Sequence, residues 1–234
     1  MSIDLKTKTE AAGALAVGLV PEQTNELVEK RRQLLEAAGE VFAEVGFSDA
    51  TVREICRRGG VNSAAVNYYF RDKESLYLEV MRYAHGKALA KYPPLLGLPP
   101  EAPAPEKLHA FVHSLLLRIF DKGPTSWHGK LMLREMIEPT SALDSLVEER
   151  IRPMAGELWK IVAELMDCNP QDERVRLCAF SVVSQCVFYH HCRPVMARLF
   201  PGQKPPEPED IKRLADHIAG FSLAAIRGLS GGKV

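Results

Sequence analysis

The sequence predicts an all-α protein with two parts, a small N-terminal three-helix head and a larger helical body. Almost every long segment places its apolar residues at helical spacing, and no stretch alternates between apolar and polar residues as a half-buried strand would. Proline, glycine and capping side chains stand where these helices must end. With 234 residues, 46% of them hydrophobic, the chain has enough apolar surface for a real core.

The first helix of the head is predicted to begin at Thr24 or Asn25 and to end at Gly46. Glycine is the residue that most readily adopts the left-handed conformation that ends a helix. The helix carries one apolar stripe with the spacing i, i+4, i+7, i+8 and i+11. The stripe consists of Leu34, Ala38, Val41, Phe42 and Val45.

Two short helices are predicted next. Thr51-Val-Arg-Glu54 forms a capping box, in which the threonine hydroxyl accepts the Glu54 amide and the carboxylate reaches back. Gly59-Gly60 ends this helix, and Asn62 caps a second helix that ends near Phe70. A short helix, a tight glycine turn and another short helix are typical of a helix-turn-helix, whose second helix enters the major groove of DNA.

The second short helix has residues that suit contact with DNA. Its small residues 63–65 let the backbone approach a groove, and Asn67 carries the donor and acceptor that adenine requires. Tyr68 and Tyr69 offer hydroxyls to phosphates or bases, and Lys73 lies just past a helix start where a phosphate can bind. The alternative is an ordinary helical hairpin, in which the two tyrosines only pack against a core.

Overall charge gives the DNA-binding hypothesis little support. The formal net charge is zero, which excludes binding of nucleic acid by bulk charge alone. Any attraction must be local, and residues 50–75 carry five basic and three acidic side chains. This segment therefore has only a modest positive excess.

A linking helix, Asp72–Lys91, and five further helices are predicted behind the head, with Pro153 and Pro194 kinking two of them. Asn169 and Pro170 resemble a cap followed by a first helical residue. The five body helices are Pro105–Asp121, Ser126–Ile137, Ser141–Met166, Pro170–Leu199 and Pro208–Leu229. We therefore divide the chain into an N-terminal arm (1–23), a helix-turn-helix DNA-binding domain (24–84) and a C-terminal helical ligand-binding and dimerisation domain (85–234).

The run TVREICRRGGVNSAAVNYYFRDKESL, residues 51–76, closely resembles the TetR family of bacterial repressors. The resemblance implies phosphate contacts at Thr51, Tyr69 and Lys73, and base contacts at Arg53, Ser63, Asn67 and Tyr68. Many family members have tyrosine where this chain has Asn67, so the resemblance does not define the contact there. It also implies a double-stranded DNA operator as partner.

The body resembles the CerR/YbiH-type branch of this family. Three segments carry the likeness, residues 133–140, 151–153 and 176–194. The resemblance implies a sensor of a small, lipophilic compound, working as a two-state switch. A ligand that fits one state better would change the spacing of the two DNA-reading helices through the linking helix.

A ligand pocket is expected among the middle helices, lined mostly by apolar side chains with a few polar groups. Each candidate has an alternative role as plain core or surface. The candidates are His113, Phe120, Trp127, Leu131, Arg134, Glu135, Met136, Trp159 and Tyr189. We expect no metal site at His190-His191-Cys192, because adjacent helical residues point about 100° apart.

No catalytic motif is present, so we expect a regulator and not an enzyme, without a cofactor. The last two helices carry more apolar residues than one chain can cover, which predicts a homodimer through them. Five cysteines without a CxxC pair favour a reduced, cytoplasmic protein, although the apolar run Ala11–Val20 loosely resembles a secretory signal. The alternative function is a helical ligand-binding or scaffold protein whose helix-turn-helix contacts another protein.

Overall fold

A computed structural model describes residues 21–123, 126–202 and 206–230. These ranges contain helices and connecting turns and no strand, so the predicted all-α class is confirmed. The chain divides into two compact units, one ending at Val80 and one beginning at Met81, and each is described by itself. Residues 1–20, with most of the predicted arm and the signal-like run, lie outside the described residues.

The first unit contains the three helices that the sequence predicts and the start of a fourth. They are α1 (Pro21–Asp49), α2 (Val52–Gly59), α3 (Ser63–Phe70) and α4 (Lys73–Lys91), and the unit boundary falls inside α4. α1 begins at Pro21, a few residues before the predicted Thr24 or Asn25. The order short helix, turn, short helix is that of the predicted helix-turn-helix.

Local side-chain signals set the helix ends in this unit. Gly46 has a φ of 84° and interrupts α1 near its end. The Thr51 hydroxyl accepts the Glu54 amide at 3.2 Å, and the Asn62 side chain accepts the Ala65 amide at 3.1 Å. Each bond satisfies an amide that has no partner inside the helix it opens.

The core of the first unit forms where the apolar stripe of α1 packs against α2, with its buried Ile55 and Cys56, and meets α3 and α4. Phe42 contacts the Tyr77 ring edge-on at 4.8 Å, and Val66 and Phe70 of α3 are buried beside them in the same unit. Four of the five predicted stripe residues of α1 are buried. Val45 is 43% exposed, so its prediction as core was wrong; it lies directly before the break at Gly46, where the helical spacing ends.

One ammonium group joins three helix ends of this unit. Lys73, the first residue of α4, donates to the carbonyls of Phe47, Ser48 and Ala50 at 3.0, 3.3 and 3.2 Å. Its nitrogen also lies 4.5 Å from the centre of the Phe47 ring, a cation–π contact. The lysine therefore holds the turn between α1 and α2 against the start of α4.

The second unit contains the rest of α4 and seven further helices of the described chain. They are α5 (Ala104–Ile119), α6 (Trp127–Ile137), α7 (Ser141–Leu146), α8 (Arg152–Met166), α9 (Glu173–His191), α10 (Arg193–Leu199) and α11 (Pro208–Ser230). Their packed centre is apolar and draws mainly on α5, α8, α9 and α11. Within the described residues, no helix has the length and apolar character needed to cross a membrane.

Two of the predicted body helices are divided, each at a proline. A π turn (Val147–Ile151) separates α7 from α8, and Pro153 is the second residue of α8. α9 ends at His191, and Pro194 is the second residue of α10. Proline has no amide hydrogen to donate, so it fits the first turn of a new helix and not the interior of a long one.

The start of α9 also differs from the prediction. Asp172, and not Asn169, is the capping residue, and its carboxylate accepts the Arg174 amide at 2.9 Å. Asn169 accepts the Gln171 amide at 2.8 Å inside the preceding turn. The pair Asn169-Pro170 therefore builds a turn that leads into the helix.

We expect Lys73→Met to lower the free energy of unfolding of the first unit by about 1–3 kcal/mol, because three carbonyls lose a charged donor. Urea unfolding followed by circular dichroism measures this. Lys30→Met is the matched control, since Lys30 forms only an exposed pair with Glu26. Equal losses in the two variants would contradict the role given to Lys73.

Candidate DNA-binding face and buried basic cluster

Helix α3 lies with one face in the core of its unit and the other in solvent. Val66 and Phe70 are buried, whereas Ser63, Asn67 and Tyr68 are exposed. The Tyr68 side chain is 72% exposed, an unusual state for so large an aromatic group. The predicted base contacts of α3 therefore share one solvent-facing surface.

The cations of α2 differ sharply in what they contact. Arg57 binds both carboxylate oxygens of Glu54 at 2.8 and 2.7 Å, and Arg58 binds Glu54 and Glu44. Arg57, and then Arg58, hold the pKa of Glu54 down to about 2. The prediction that the Glu54 carboxylate reaches back to the capping residue Thr51 was wrong, because this carboxylate binds Arg57 and Arg58 instead.

Three cations in the described part of the first unit, Arg53, Arg71 and Lys73, have no carboxylate partner, and only Lys73 is held by carbonyls. Among residues 25–80, Arg53 and Arg71 form neither an ion pair nor a hydrogen bond to another side chain, and both are exposed. Arg71 was not among the predicted contacts. It follows α3 directly with a φ of 73°, a conformation that the sequence does not reveal.

The three predicted phosphate contacts differ in their burial and in the groups that they already contact. Thr51 is exposed, and its hydroxyl already accepts an amide as the α2 cap. Tyr69 is half-buried, and the centre of its ring lies 4.9 Å from that of Tyr68, with the two rings nearly perpendicular. The ammonium of Lys73 is held by three carbonyls, so a phosphate contact there stays a prediction that competes with an internal role.

The nine predicted ligand contacts lie in the second unit and differ in burial. Trp127 and Leu131 are buried, Arg134, Trp159 and Tyr189 are half-buried, and Met136 is 59% exposed. His113 lies on α5 beside His109, where burial, and next the charge of His109, lower its pKa. That these residues line one pocket stays a prediction.

Glu135, another of the nine, has a structural partner. It is fully buried, and its carboxylate accepts the amide and the hydroxyl of Thr140 at 2.7 and 2.9 Å. These bonds close the turn between α6 and α7. The geometry thus gives Glu135 a role in the fold of the body.

Phe120 is the predicted contact that lines a cleft of about 260 Å³ near the end of α5. Its ring lies 5.5 Å from the His190 ring and 6.0 Å from the Arg193 guanidinium. Basic groups also line this cleft, together with Asp121. The described lining consists of Ile119, Phe120, Asp121, Lys122, Ser126, Lys130, His190, Arg193 and Pro206.

A second feature of the body was not predicted: a guanidinium buried without a carboxylate. Arg118 of α5 is 4% exposed and forms no ion pair among the described residues. Its Nε donates to the Ser114 carbonyl at 3.3 Å and its Nη1 to the Met154 sulfur at 2.8 Å, while Nη2 has no partner. Burial lowers its pKa to about 10, so it stays charged at neutral pH.

Two buried imidazoles accompany Arg118. His85 of α4 and His128 of α6 lie with ring centres 5.5 Å apart. Neither ring nitrogen of His85 has a hydrogen-bond partner, and Nε2 of His128 has none. Burial, followed by the charges of Arg118 and Arg150, lowers the pKa of His85 to about 4. Burial, followed by His85 and Arg118, lowers that of His128 to about 3.

We call His85, Arg118 and His128 the basic cluster. The sequence held one signal for it, since Arg118 stands in the otherwise apolar run Leu115–Phe120. The two histidines lie far from each other in sequence, and nothing local pairs them. No group of three or more metal-ligand side chains in the described ranges is arranged to hold a metal ion.

Comparison with known proteins identifies the family. Residues 34–80 match the family of tetR bacterial regulatory proteins, and residues 104–226 match the C-terminal domain of the HTH-type transcriptional dual regulator CecR. This chain belongs to the TetR family. It is a DNA-binding transcriptional regulator whose body is of the CecR type. The predicted family, branch and function class are confirmed at this level.

Individual relatives agree with the family match. CecR of Shigella flexneri is 27% identical over 177 residues, which span 72% of this TetR-family chain and 79% of CecR. A tetR-family regulatory protein from Rhodococcus RHA1 has the same fold, with a TM-score of 0.61, 21% identity and coverage of 84% and 96% of the two chains. The structure of AibR in complex with isovaleryl coenzyme A and operator DNA also has this fold, with a TM-score of 0.62 and 16% identity. The match covers 82% of this chain and 97% of AibR.

We expect Arg53→Ala to weaken operator binding by this TetR-family regulator about 5- to 150-fold, as loss of a direct base or phosphate contact would. Arg57→Ala removes the same charge from the same helix, but Arg57 is already held by Glu54. Fluorescence anisotropy with one labelled operator at fixed salt compares them. Similar losses in both variants would show that overall charge, and not a contact of Arg53, is responsible.

Proposed function

We propose that this regulator is a repressor that binds a palindromic operator as a homodimer and leaves it when a small lipophilic compound binds the body. The observation that carries the proposal is the solvent face of α3, where Ser63, Asn67 and Tyr68 stand exposed, together with the exposed Arg53 of α2. A face of this composition suits a major groove better than a protein core.

The proposed DNA contacts divide into two kinds. Arg53, Ser63, Asn67 and Tyr68 address base edges, and Thr51, Tyr69 and Lys73 address phosphates or hold the reading helix in position. For Lys73 the carbonyl contacts favour positioning. We add Arg71 as a further phosphate contact, because it is exposed and has no internal acceptor.

The proposed dimer forms through α9 and α11. Leu177, Phe180 and Phe188 of α9 and Phe221 of α11 are exposed by more than half. The two helices lie side by side, joined by a bond of 3.2 Å from Gln185 to the Ser222 hydroxyl. Two such surfaces bury each other in a four-helix contact, which gives a two-fold dimer that matches a palindromic site.

The body is proposed to sense its compound by binding and not by turnover. AibR has the same fold, and its structure is a complex with isovaleryl coenzyme A and operator DNA. A protein of this fold can therefore hold a small molecule and DNA together. A ligand releases the operator only if it binds the released state more tightly. We propose the bacterial cytoplasm as the place of action, since operator DNA lies there.

Selection of binding sites from random DNA with the purified protein, followed by footprinting at stated salt, tests the proposal. The expected product is an inverted repeat whose half-sites lie about 34–36 Å apart. A promoter reporter carrying that site then gives the sign of regulation, and expression that falls with the protein present supports repression. No enriched sequence would instead favour a helix-turn-helix that contacts protein.

We expect Phe180→Asp to convert the dimer to monomers and to abolish operator binding, because a carboxylate would be buried in an apolar contact. Sedimentation equilibrium at micromolar protein measures the mass. Leu199→Asp is the control, since Leu199 is 64% exposed on α10 and Phe180 67% exposed on α9. A Phe180 variant that remains dimeric would place the interface elsewhere.

A further inference from the structure

We propose that the body binds an organic monocarboxylate, with the carboxylate held by Arg118 between His85 and His128 and its apolar remainder against α4 and α6. This inference rests on the proposed function, because it names the chemical class of the compound that the body senses. It starts from the basic cluster and not from the cleft at Phe120.

Burying a charged group without a partner costs free energy. A guanidinium removed from water loses the free energy of its hydration. In a protein interior, an ion pair with a carboxylate normally compensates for this loss. Arg118 receives only the Ser114 carbonyl and the Met154 sulfur, and its Nη2 has no acceptor. An anion at Nη2 would supply the missing attraction and form a charged hydrogen bond.

The carboxylates of the surrounding elements already have partners of their own. Asp121, at the end of α5, is held by Lys91 at 2.6 Å, and Glu149 in the π turn is held by Arg82. Glu135 of α6 is held by Thr140. None of the described ion pairs or hydrogen bonds brings an acid to Arg118, so no acid of the described residues supplies the anion.

The cluster suits one negative charge and no metal cation. Both imidazoles are neutral at pH 7, because burial lowers their pKa values to about 4 and about 3. Arg118 supplies the formal charge inside the cluster, which one carboxylate balances. The charge of Arg150, whose Nε is also buried without a partner, acts on His85 as well and adds to the attraction for an anion. Each neutral ring adds one N–H donor for the second oxygen, and the guanidinium repels a cation.

The helices that carry the two histidines are apolar on the same side. Met81 and Ala88 lie one turn before and after His85 on α4, and both are buried. Leu131 lies one turn after His128 on α6 and is fully buried. A ligand that reaches the cluster therefore meets hydrocarbon next to its charged group, which favours an acid with an alkyl or aryl body.

Isothermal titration of the full-length protein with octanoate and benzoate, and with their neutral amides octanamide and benzamide, tests the class of ligand. We expect at least one acid to bind and its amide to bind at least about tenfold more weakly, since the amide lacks the charge that Arg118 requires. Absence of binding by both acids, or equal binding of an acid and its amide, would overturn the proposal.

The role of Arg118 is tested with Arg118→Met and Arg118→Lys. We expect Arg118→Met to keep or raise the melting temperature, because methionine replaces an unpaired buried charge, and to weaken acid binding at least about tenfold. Arg118→Lys keeps the positive charge and replaces Arg118→Met as the test variant if the methionine variant does not fold. We expect it to retain weak acid binding. Arg152→Met, which removes an exposed arginine paired with Glu148, is the control and should bind the acid normally.

Operator binding by the wild-type protein and by Arg118→Met, measured with and without the acid, separates this proposal from the proposed function. Wild-type protein that binds DNA but no acid would overturn the monocarboxylate site and leave the regulator intact. Acid binding that depends on Arg118, without any specific DNA binding, would support the site and overturn the repressor. Release of DNA by the acid in the wild type but not in Arg118→Met supports both.

Discussion

The DNA-binding unit depends on the hydrogen bonds of a single ammonium group. Lys73 reaches three carbonyls in the segment after Gly46, and so ties the end of α1 and the residues before α2 to the start of α4. Helix α3 is then held between these elements by two buried residues, Val66 and Phe70. With α3 only eight residues long, this outside support and not its own length keeps it helical.

Charge pairing explains how a chain of zero net charge presents a face to DNA. Most cations of the first unit are taken by nearby acids, as Arg31 is by Glu79 at 2.6 Å. The cations left without an acid in the described part of this unit are Arg53, which precedes α3 in the sequence, and Arg71 and Lys73, which follow it. In the body, by contrast, one cation that lacks an acid partner, Arg118, is buried. Both exceptions lie where an anion, phosphate or carboxylate, is proposed to bind.

The sequence predicted what depends on short-range contacts. The caps at Thr51 and Asn62 need only an amide three residues away, and both occur. Contacts between distant residues were not accessible in this way: Arg58 binds Glu44 fourteen positions back, and Lys73 folds onto carbonyls more than twenty positions earlier. The basic cluster required α4, α5 and α6 to be packed before its members could be recognised as neighbours, which is why the predicted pocket set named Trp127 but not the adjacent His128.

Both tryptophans of the chain lie in the second unit, and the aromatic residues of the DNA-reading unit are tyrosines and phenylalanines. Trp127 is buried next to His128 in sequence, with an indole nitrogen that has no partner, and Trp159 is half-buried against the body core. Tryptophan emission, excited beyond the absorption of tyrosine, therefore reports on the body alone. A change in that emission when operator DNA is added would be a direct optical signal of communication between the two units, without any label.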